Sequence, residues 1–206
     1  IFIQGSPILK NQNGIKIGRL SGIVAHHVPF YLRHSRMPSW DVNCIEDWEE
    51  KINAIVDQTI NQNMTLISGI PPWVQMYFEK IIEKSGKQIG DVFKNFSLFI
   101  YGGVSFKPYK KIFDELIGRK VNSIEVYPAS EGFFAFQDQI DNDSMLLILN
   151  NHIYYEFIKV KDLLIGEKNY ICLSDVKVGE NYALVISTSS GLWRYDIGDT
   201  VQFTQL

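Results

Sequence analysis

Cysteine is scarce. Cys44 and Cys172 are the only thiols in 206 residues, far apart and at no spacing that suits a metal. That excludes a disulfide-stapled scaffold and reads as reduced thiols, so a cytoplasmic location is expected. Long hydrophobic runs are missing as well. No apolar stretch approaches membrane-span length and no signal peptide opens the sequence, so no membrane partner is expected. Excess positive charge is also absent. Lys and Arg total 20 against 23 Asp and Glu, a net charge of −3, and no basic stripe forms. No nucleic-acid partner is therefore expected. There is no internal repeat and no low-complexity stretch.

What is present is ordinary for a folded chain. Hydrophobic residues make up 46% and charged residues 21%, enough for one sizeable core or two small ones. The aromatic share, 13%, points to a large aromatic core, aromatic-lined cavities, or both. The sequence opens inside an apolar run, Ile1-Phe2-Ile3, and closes inside another, Thr200-Val201-Gln202-Phe203-Thr204. Domains rarely start and stop in mid-strand. The sequence therefore reads as a piece of a longer protein, and its open strands at residues 1–3 and 200–204 are expected to invite pairing into a dimer.

Periodicity predicts a helix over residues 46–60, where Trp48, Ile52, Ile55, Val56 and Ile60 share one face and acidic residues crowd the first turn. A short strand over 64–67 follows. Pro71-Pro72 opens a second helix, and Gly86 stops it. A buried-type strand over 98–101 runs into Gly102-Gly103, a third helix covers 108–116, and a strand over 121–127 leads to Pro128-Ala129-Ser130-Glu131-Gly132. That is a β-α-β unit whose two loops should leave one edge of a parallel sheet, the edge where ligands bind in open α/β folds. From about residue 133 the pattern turns to antiparallel β. Strands are expected over 133–136, 144–149, 152–160, 183–188, 192–195 and 201–203, with Asn150-Asn151 as a hairpin turn.

Three loops carry residues suited to chemistry. Tyr101-Gly102-Gly103-Val104 would let backbone approach a flat ligand closely, although a plain turn explains the same residues. Val126-Tyr127-Pro128-Ala129-Ser130-Glu131-Gly132 offers a ring to stack on a purine, a hydroxyl for a phosphate, and a carboxylate for Mg²⁺. A polar turn with an exposed Glu is the bland alternative. In Gly191-Leu192-Trp193-Arg194-Tyr195-Asp196-Ile197-Gly198-Asp199 a carboxylate could accept both hydroxyls of a ribose, or cap a β-turn. His26-His27 is no metal pair, because adjacent residues do not share a helix face.

Taken together, residues 127–132 and 191–199 resemble the second and third ATP-binding motifs of the Gretchen Hagen acyl-acid amido synthetases. These are the auxin-responsive family of ligases that includes indole-acetate and jasmonate conjugating enzymes, within the firefly-luciferase-like adenylate-forming superfamily. Gly14-Ile15-Lys16-Ile17-Gly18, Leu20-Ser21-Gly22, and residues 69–73, 102–108 and 131–137 resemble bacterial members. The resemblance implies an α/β fold that is part of the large domain of an adenylate-forming enzyme, with β-α-β units followed by a β-rich region. The first phosphate-loop motif would precede residue 1, and the closing domain would follow residue 206.

The resemblance also implies ATP and Mg²⁺ as cofactors, with a carboxylic acid and an amine or amino acid as substrates. By position it implies ATP-binding roles for Gly102, Gly103, Val104, Tyr127, Ser130 and Asp199. Glu131 would be the Mg²⁺ carboxylate, with Glu131 and Ser130 at the reacting phosphate. Position 196 is Asp where many relatives carry Arg. Phe30, Tyr31, Trp73, Phe133 and Phe134 are candidates for the acyl pocket, with core packing as the alternative for each. The expected reaction is adenylation of the acid followed by transfer to the amine. Acyl-CoA formation through the same first step, and a non-catalytic relative that only binds ligand, are the competing readings.

Overall fold

The computed structural model describes residues 1–140 and 142–206. The chain divides into two units, Ile1–Tyr127 with Gln137–Asp143, and Pro128–Phe136 with Ser144–Leu206.

The first unit opens with a hairpin, β1 (Lys10–Gln12) and β2 (Ile15–Ile17), turning on Asn13-Gly14. Three short helices follow, α1 (Leu20–His26), α2 (Phe30–Arg33) and α3 (Trp40–Cys44). Helix α4 (Trp48–Thr59) starts where Asp47 accepts a hydrogen bond from the Glu50 backbone N–H at 2.8 Å, which satisfies one of the free donors at a helix start. After β3 (Leu66–Ser68) comes α5 (Pro71–Ser85), ended by Gly86 at φ 67°, a left-handed conformation that glycine adopts without a Cβ penalty. The unit continues with α6 (Ile89–Val92), β4 (Leu98–Gly102), α7 (Lys110–Ile117) and β5 (Asn122–Ala129), the last crossing into the second unit at Pro128.

Strands β3, β4 and β5 form a parallel ladder in which Leu66 pairs with Leu98 and Gly102 with Val126. Helix α5 buries Val74, Tyr77, Phe78 and Ile81 completely, the spacing of a single helical face. Phe99 on β4 stacks with Phe113 of α7 at 5.1 Å between ring centroids. The Tyr77 hydroxyl, buried with this core, meets Thr59 Oγ1 at 2.8 Å, so it does not lose its hydrogen bond on leaving water.

Residues 1–3 do not form an open edge. Phe2 bridges Ser68 in parallel, the Ile3 N–H donates to the Ser68 carbonyl, and the Ser68 N–H donates to the Ile1 carbonyl, both at 2.8 Å. Ile3 is buried. The expectation of an unpaired strand there is corrected: β3 pairs with one side of it, and on the other the Phe2 N–H donates to the Met37 carbonyl at 2.8 Å.

The second unit is antiparallel, as the change in pattern near residue 133 implied. Strand β6 (Gly132–Phe136) pairs with β7 (Leu146–Leu147). A four-stranded sheet is built from β8 (Ile153–Lys159), β9 (Ile171–Cys172), β10 (Asn181–Thr188) and β11 (Tyr195–Gln202), in the order β11-β10-β8-β9. Strand β11, near the end of the chain, is an edge of this sheet.

Several expectations are corrected here. Asn150-Asn151 is not a hairpin turn, because β7 pairs with β6 while β8 pairs with β10 and β9. Asn151 instead donates from Nδ2 to the Phe133 carbonyl at 2.8 Å. Helix α8 (Val160–Leu164) follows β8 directly. Residues 192–194 lie outside any strand, and the strand begins at Tyr195. Turn residues mark where a chain bends; they do not specify which strands pair across the bend.

Candidate functional site

The residues singled out by sequence divide between the two units. In the first, β4 ends in Tyr101 and Gly102 beside Glu125 and Val126 of β5. The Gly102-Gly103 turn and Tyr127 thus leave the same carboxyl edge of the parallel ladder, as a ligand edge requires. Gly103 has φ 83°, where an L side chain would cost about 1–2 kcal/mol. Val104 is exposed, Tyr127 is half-buried, and Tyr101 is buried against Phe106 at 4.7 Å.

An acidic residue missed in the sequence sits at this edge. Burial, and then the charge of Asp143, raise the Glu125 carboxyl above the usual value of 4.5, while Lys107 pulls it down. Burial together with Glu125 and Asp143 pushes the Tyr101 phenol up to about 12. Buried Gln137 braces the strand by accepting from the Glu125 N–H at 3.0 Å and donating its own backbone N–H to the Glu125 carbonyl at 2.8 Å. A carboxyl whose folded pKa is raised favours folding while it is protonated, and that stability is lost as pH rises from about 4.5 through the folded value. Glu125→Gln is therefore expected to stabilise the first unit at neutral pH and to flatten its stability profile above pH 4.5. Denaturant midpoints across pH check this; an unchanged profile would show that the carboxyl is not strained.

In the second unit, Ser130 and Glu131 form the turn between β5 and β6. Ser130 is exposed and Glu131 half-buried. Glu131 lines a cleft of about 300 Å³ with Phe133, Asn151, Thr188, Ser189 and Ser190. Thr188 Oγ1 meets Ser190 Oγ at 2.8 Å, and the Leu192 N–H donates to the Thr188 hydroxyl at 3.3 Å. Asn151 is held by Phe133 and by Tyr155, yet its buried Oδ1 has no partner. The cleft thus combines one carboxylate, three hydroxyls and an unsatisfied acceptor. Among the described residues no group of three His, Cys, Asp or Glu side chains gathers as a metal set. A hard cation here would rest on Glu131 with water and phosphate oxygens completing its shell, which suits Mg²⁺.

Asp199 lies on β11 and does not line this cleft. Asp196 accepts from the Gly198 N–H at 2.9 Å, so this acid shapes the local backbone. Arg194 is occupied too. Its guanidinium grips Glu156, itself 7% exposed, with two bonds of 3.0 and 2.9 Å and lies 4.5 Å over the Tyr170 ring.

The five acyl-pocket candidates divide between the two units, Phe30, Tyr31 and Trp73 in the first and Phe133 and Phe134 in the second. Phe30 and Tyr31 are exposed at 76% and 67%. Trp73 packs on the first unit's core, with the Trp48 ring 4.8 Å away. Phe134 is fully buried in the second unit, and of the five only Phe133 faces the cleft. Sequence reasoning missed Asn151 and the 188–190 hydroxyls; the run Ser187-Thr188-Ser189-Ser190 before Gly191 was the available signal.

Residues 146–206 match the GH3 family central domain. That stretch carries the 191–199 loop. GH3 amido synthetases are among the chain's homologues. The jasmonoyl–L-amino acid synthetase JAR4 of Nicotiana attenuata is 32% identical over 55% of this chain and 21% of its own length. The indole-3-acetic acid-amido synthetase GH3.3 of Arabidopsis thaliana is 33% identical over 38% of this chain and 14% of its own. Among solved structures, the AtGH3.15 acyl acid amido synthetase in complex with 2,4-DB superposes with a TM-score of 0.70 at 12% identity, covering 99% of this chain and 45% of that one. A 2-hydroxyisobutyryl-CoA ligase bound to 2-HIB-AMP and CoA superposes at 0.55 with 15% identity, over 75% of this chain and 34% of that one. The fold is thus the α/β fold of these ligases, and the chain spans less than half the length of these relatives. No helix among the described residues is long and apolar enough to cross a membrane.

Proposed function

We propose that this chain is part of an ATP-dependent acyl-acid amido synthetase, which adenylates a carboxylic acid to an acyl-AMP and then transfers the acyl group to an amine or amino acid. The observation that carries the reading is the placement of Glu131 in a cleft walled by three hydroxyls, on a loop whose sequence resembles an ATP-binding motif of adenylate-forming ligases. In this reading Tyr127 stacks on adenine at the carboxyl edge of β5, beside the backbone of Gly102 and Gly103. Ser130 hydrogen-bonds the α-phosphate, and Asp199 accepts the ribose hydroxyls. Mg²⁺ held by Glu131 would offset charge developing on the phosphates. Phe133, facing the cleft, is the best placed of the five aromatic candidates to touch the acyl chain.

Acyl-CoA formation is the second reading, supported by the likeness in fold to a CoA ligase. A non-catalytic relative would have no need of Tyr127, Ser130, Glu131 and Asp199 together. Pairing of the β11 edge with a second copy, and a cytoplasmic location, belong to the same proposal.

The deciding experiment is release of pyrophosphate by the complete protein, screened against carboxylic acids and followed by hydroxylamine trapping of the acyl-AMP. Amide formation with an amino acid supports the first reading, thioester formation with CoA the second, and no release with any acid rejects both. Asp199→Ala is expected to weaken ATP binding roughly tenfold or more, since charge-assisted hydrogen bonds contribute about 1.5–3 kcal/mol each. An unchanged KM for ATP would remove Asp199 from the ribose.

A further inference from the structure

The strand that carries Asp199 is held at an irregular register. Towards the end of β11, Thr200 pairs with Ala183 of β10; at its start, Asp196 pairs with Val185. Between these pairs Leu184 is the one residue on β10, while Ile197, Gly198 and Asp199 lie on β11. Asp199 thus stands in a bulge with two residues more than its partner strand. Bulges bend the chain and re-aim side chains, and they recur beside active sites. Gly198 takes φ 85° within this one, and its N–H donates to Asp196 at 2.9 Å.

The apolar pattern does not fix the bulge. A regular ladder continued from Thr200 would set Asp199 opposite Leu184 and Gly198 opposite Val185. At Val185 that differs from the observed register by two residues, and a slip of two returns every side chain to the face it left. Alternation alone therefore accepts both registers, and only the observed one lifts residues 197–199 out of the ladder.

Arg194, the residue before β11, supplies the missing constraint. Its backbone is left-handed at φ 44°, uncommon for a residue with a Cβ. Its N–H donates to Ser187 Oγ on β10 at 3.0 Å. Its guanidinium reaches past β10 to β8, the next strand in the sheet, and grips Glu156 through Nε at 3.0 Å and Nη2 at 2.9 Å. The Tyr170 ring lies 4.5 Å from the same guanidinium. Glu156 is itself fixed by two ladders, opposite Val185 on one side and Cys172 on the other. A fork that meets a carboxylate through two bonds sets orientation as well as distance. A two-residue slip, roughly 7 Å along a strand, would break it. Stability alone is a poor reason to keep a carboxylate 7% exposed inside a sheet. Apolar residues often replace a buried ion pair without loss, so its presence fits a role in setting geometry.

We propose that Glu156 and Arg194 are positioning residues for the nucleotide: their clamp locks the start of β11 and so keeps Asp199 presented from the bulge to the ribose. This rests on the reading of Asp199 as the ribose acid and adds that its aim is set from β8.

The test is calorimetric titration of the complete protein with ATP and with 2′,3′-dideoxy-ATP, which lacks both ribose hydroxyls. The ratio of the two affinities reads the aim of the acid, which a loss of stability does not change. The unaltered protein is expected to prefer ATP by roughly tenfold or more, and Asp199→Ala to abolish that preference. Arg194→Gln would strand the Glu156 charge, so the informative variant replaces both, Glu156→Leu with Arg194→Met, and removes the buried charge along with the clamp. This double variant is expected to keep or exceed the unaltered denaturation midpoint and to bind ATP roughly tenfold more weakly, with dideoxy-ATP within about twofold. In an Asp199→Ala background it should add nothing further. Arg194→Lys, which keeps the charge but not the fork, should fall between. A double variant that prefers ATP as strongly as the unaltered protein would overturn the clamp and leave Asp199 in place. Equal loss of affinity for both nucleotides would overturn it too, as an effect of structure alone. An Asp199→Ala protein that keeps the preference would remove Asp199 from the ribose, and this proposal with it.

Discussion

Glu131→Ala in the complete protein is expected to reduce acid-dependent pyrophosphate release by at least about 10²-fold, since a metal's charge stabilisation amounts to several kcal/mol and each 1.36 kcal/mol is a factor of ten. The size follows from the site's composition. Glu131 is the one acidic residue among those lining the cleft, so no second carboxylate of that lining can take over when Glu131 is removed. Stability should hardly change, because Glu131 occupies a turn and takes part in none of the ion pairs among the described residues. Glu131→Gln keeps the shape and removes the charge, so it should be impaired nearly as much as alanine, whereas Glu131→Asp should recover part of the rate at raised Mg²⁺. The measurement is pyrophosphate release against Mg²⁺ concentration. A Gln variant with full activity would place the cation elsewhere and leave Glu131 a turn residue.

The parts of the fold that were legible in sequence are those where local chemistry and burial agree. The apolar row on α5, its prolines at the start and Gly86 at the end all specify the same helix, and the structure buries Val74, Tyr77, Phe78 and Ile81 together. The glycine pair after β4 and Tyr127 on β5 could be placed at one edge because parallel strands joined by a helix leave no other arrangement. Strand partnering in the second unit was not legible. Its two-residue strand at Leu146–Leu147 and the pairing of β8 with β10 depend on contacts distant in sequence. The same holds for the cleft. Asn151 and Thr188 reach Glu131 only because β8 and β10 are neighbours.

Phe133 and Phe134 are chemically identical neighbours, and the fold should separate them sharply. Successive residues of a strand point to opposite faces, and on β6 this sends Phe133, 43% exposed, into the cleft and Phe134, fully buried, into the second unit's core against Tyr155. Phe134→Ala is expected to destabilise that unit by about 3–5 kcal/mol, the transfer loss plus the cavity left behind. Because the chain has two units, the unfolding of each should be followed by its own probe, since a single midpoint would average two transitions. Phe133→Ala should change stability by less than about 1 kcal/mol, because much of the ring is already in water. Its effect should appear in the complete protein as a raised KM for the carboxylic acid with kcat for adenylation nearly kept, the mark of lost uniform binding. Chemical denaturation of both variants, alongside acid-dependent kinetics, separates the outcomes. A Phe134→Ala variant of near-native stability would mean that the core does not close over this ring. A Phe133→Ala variant with an unaltered KM for every acid turned over would take the cleft out of acyl recognition.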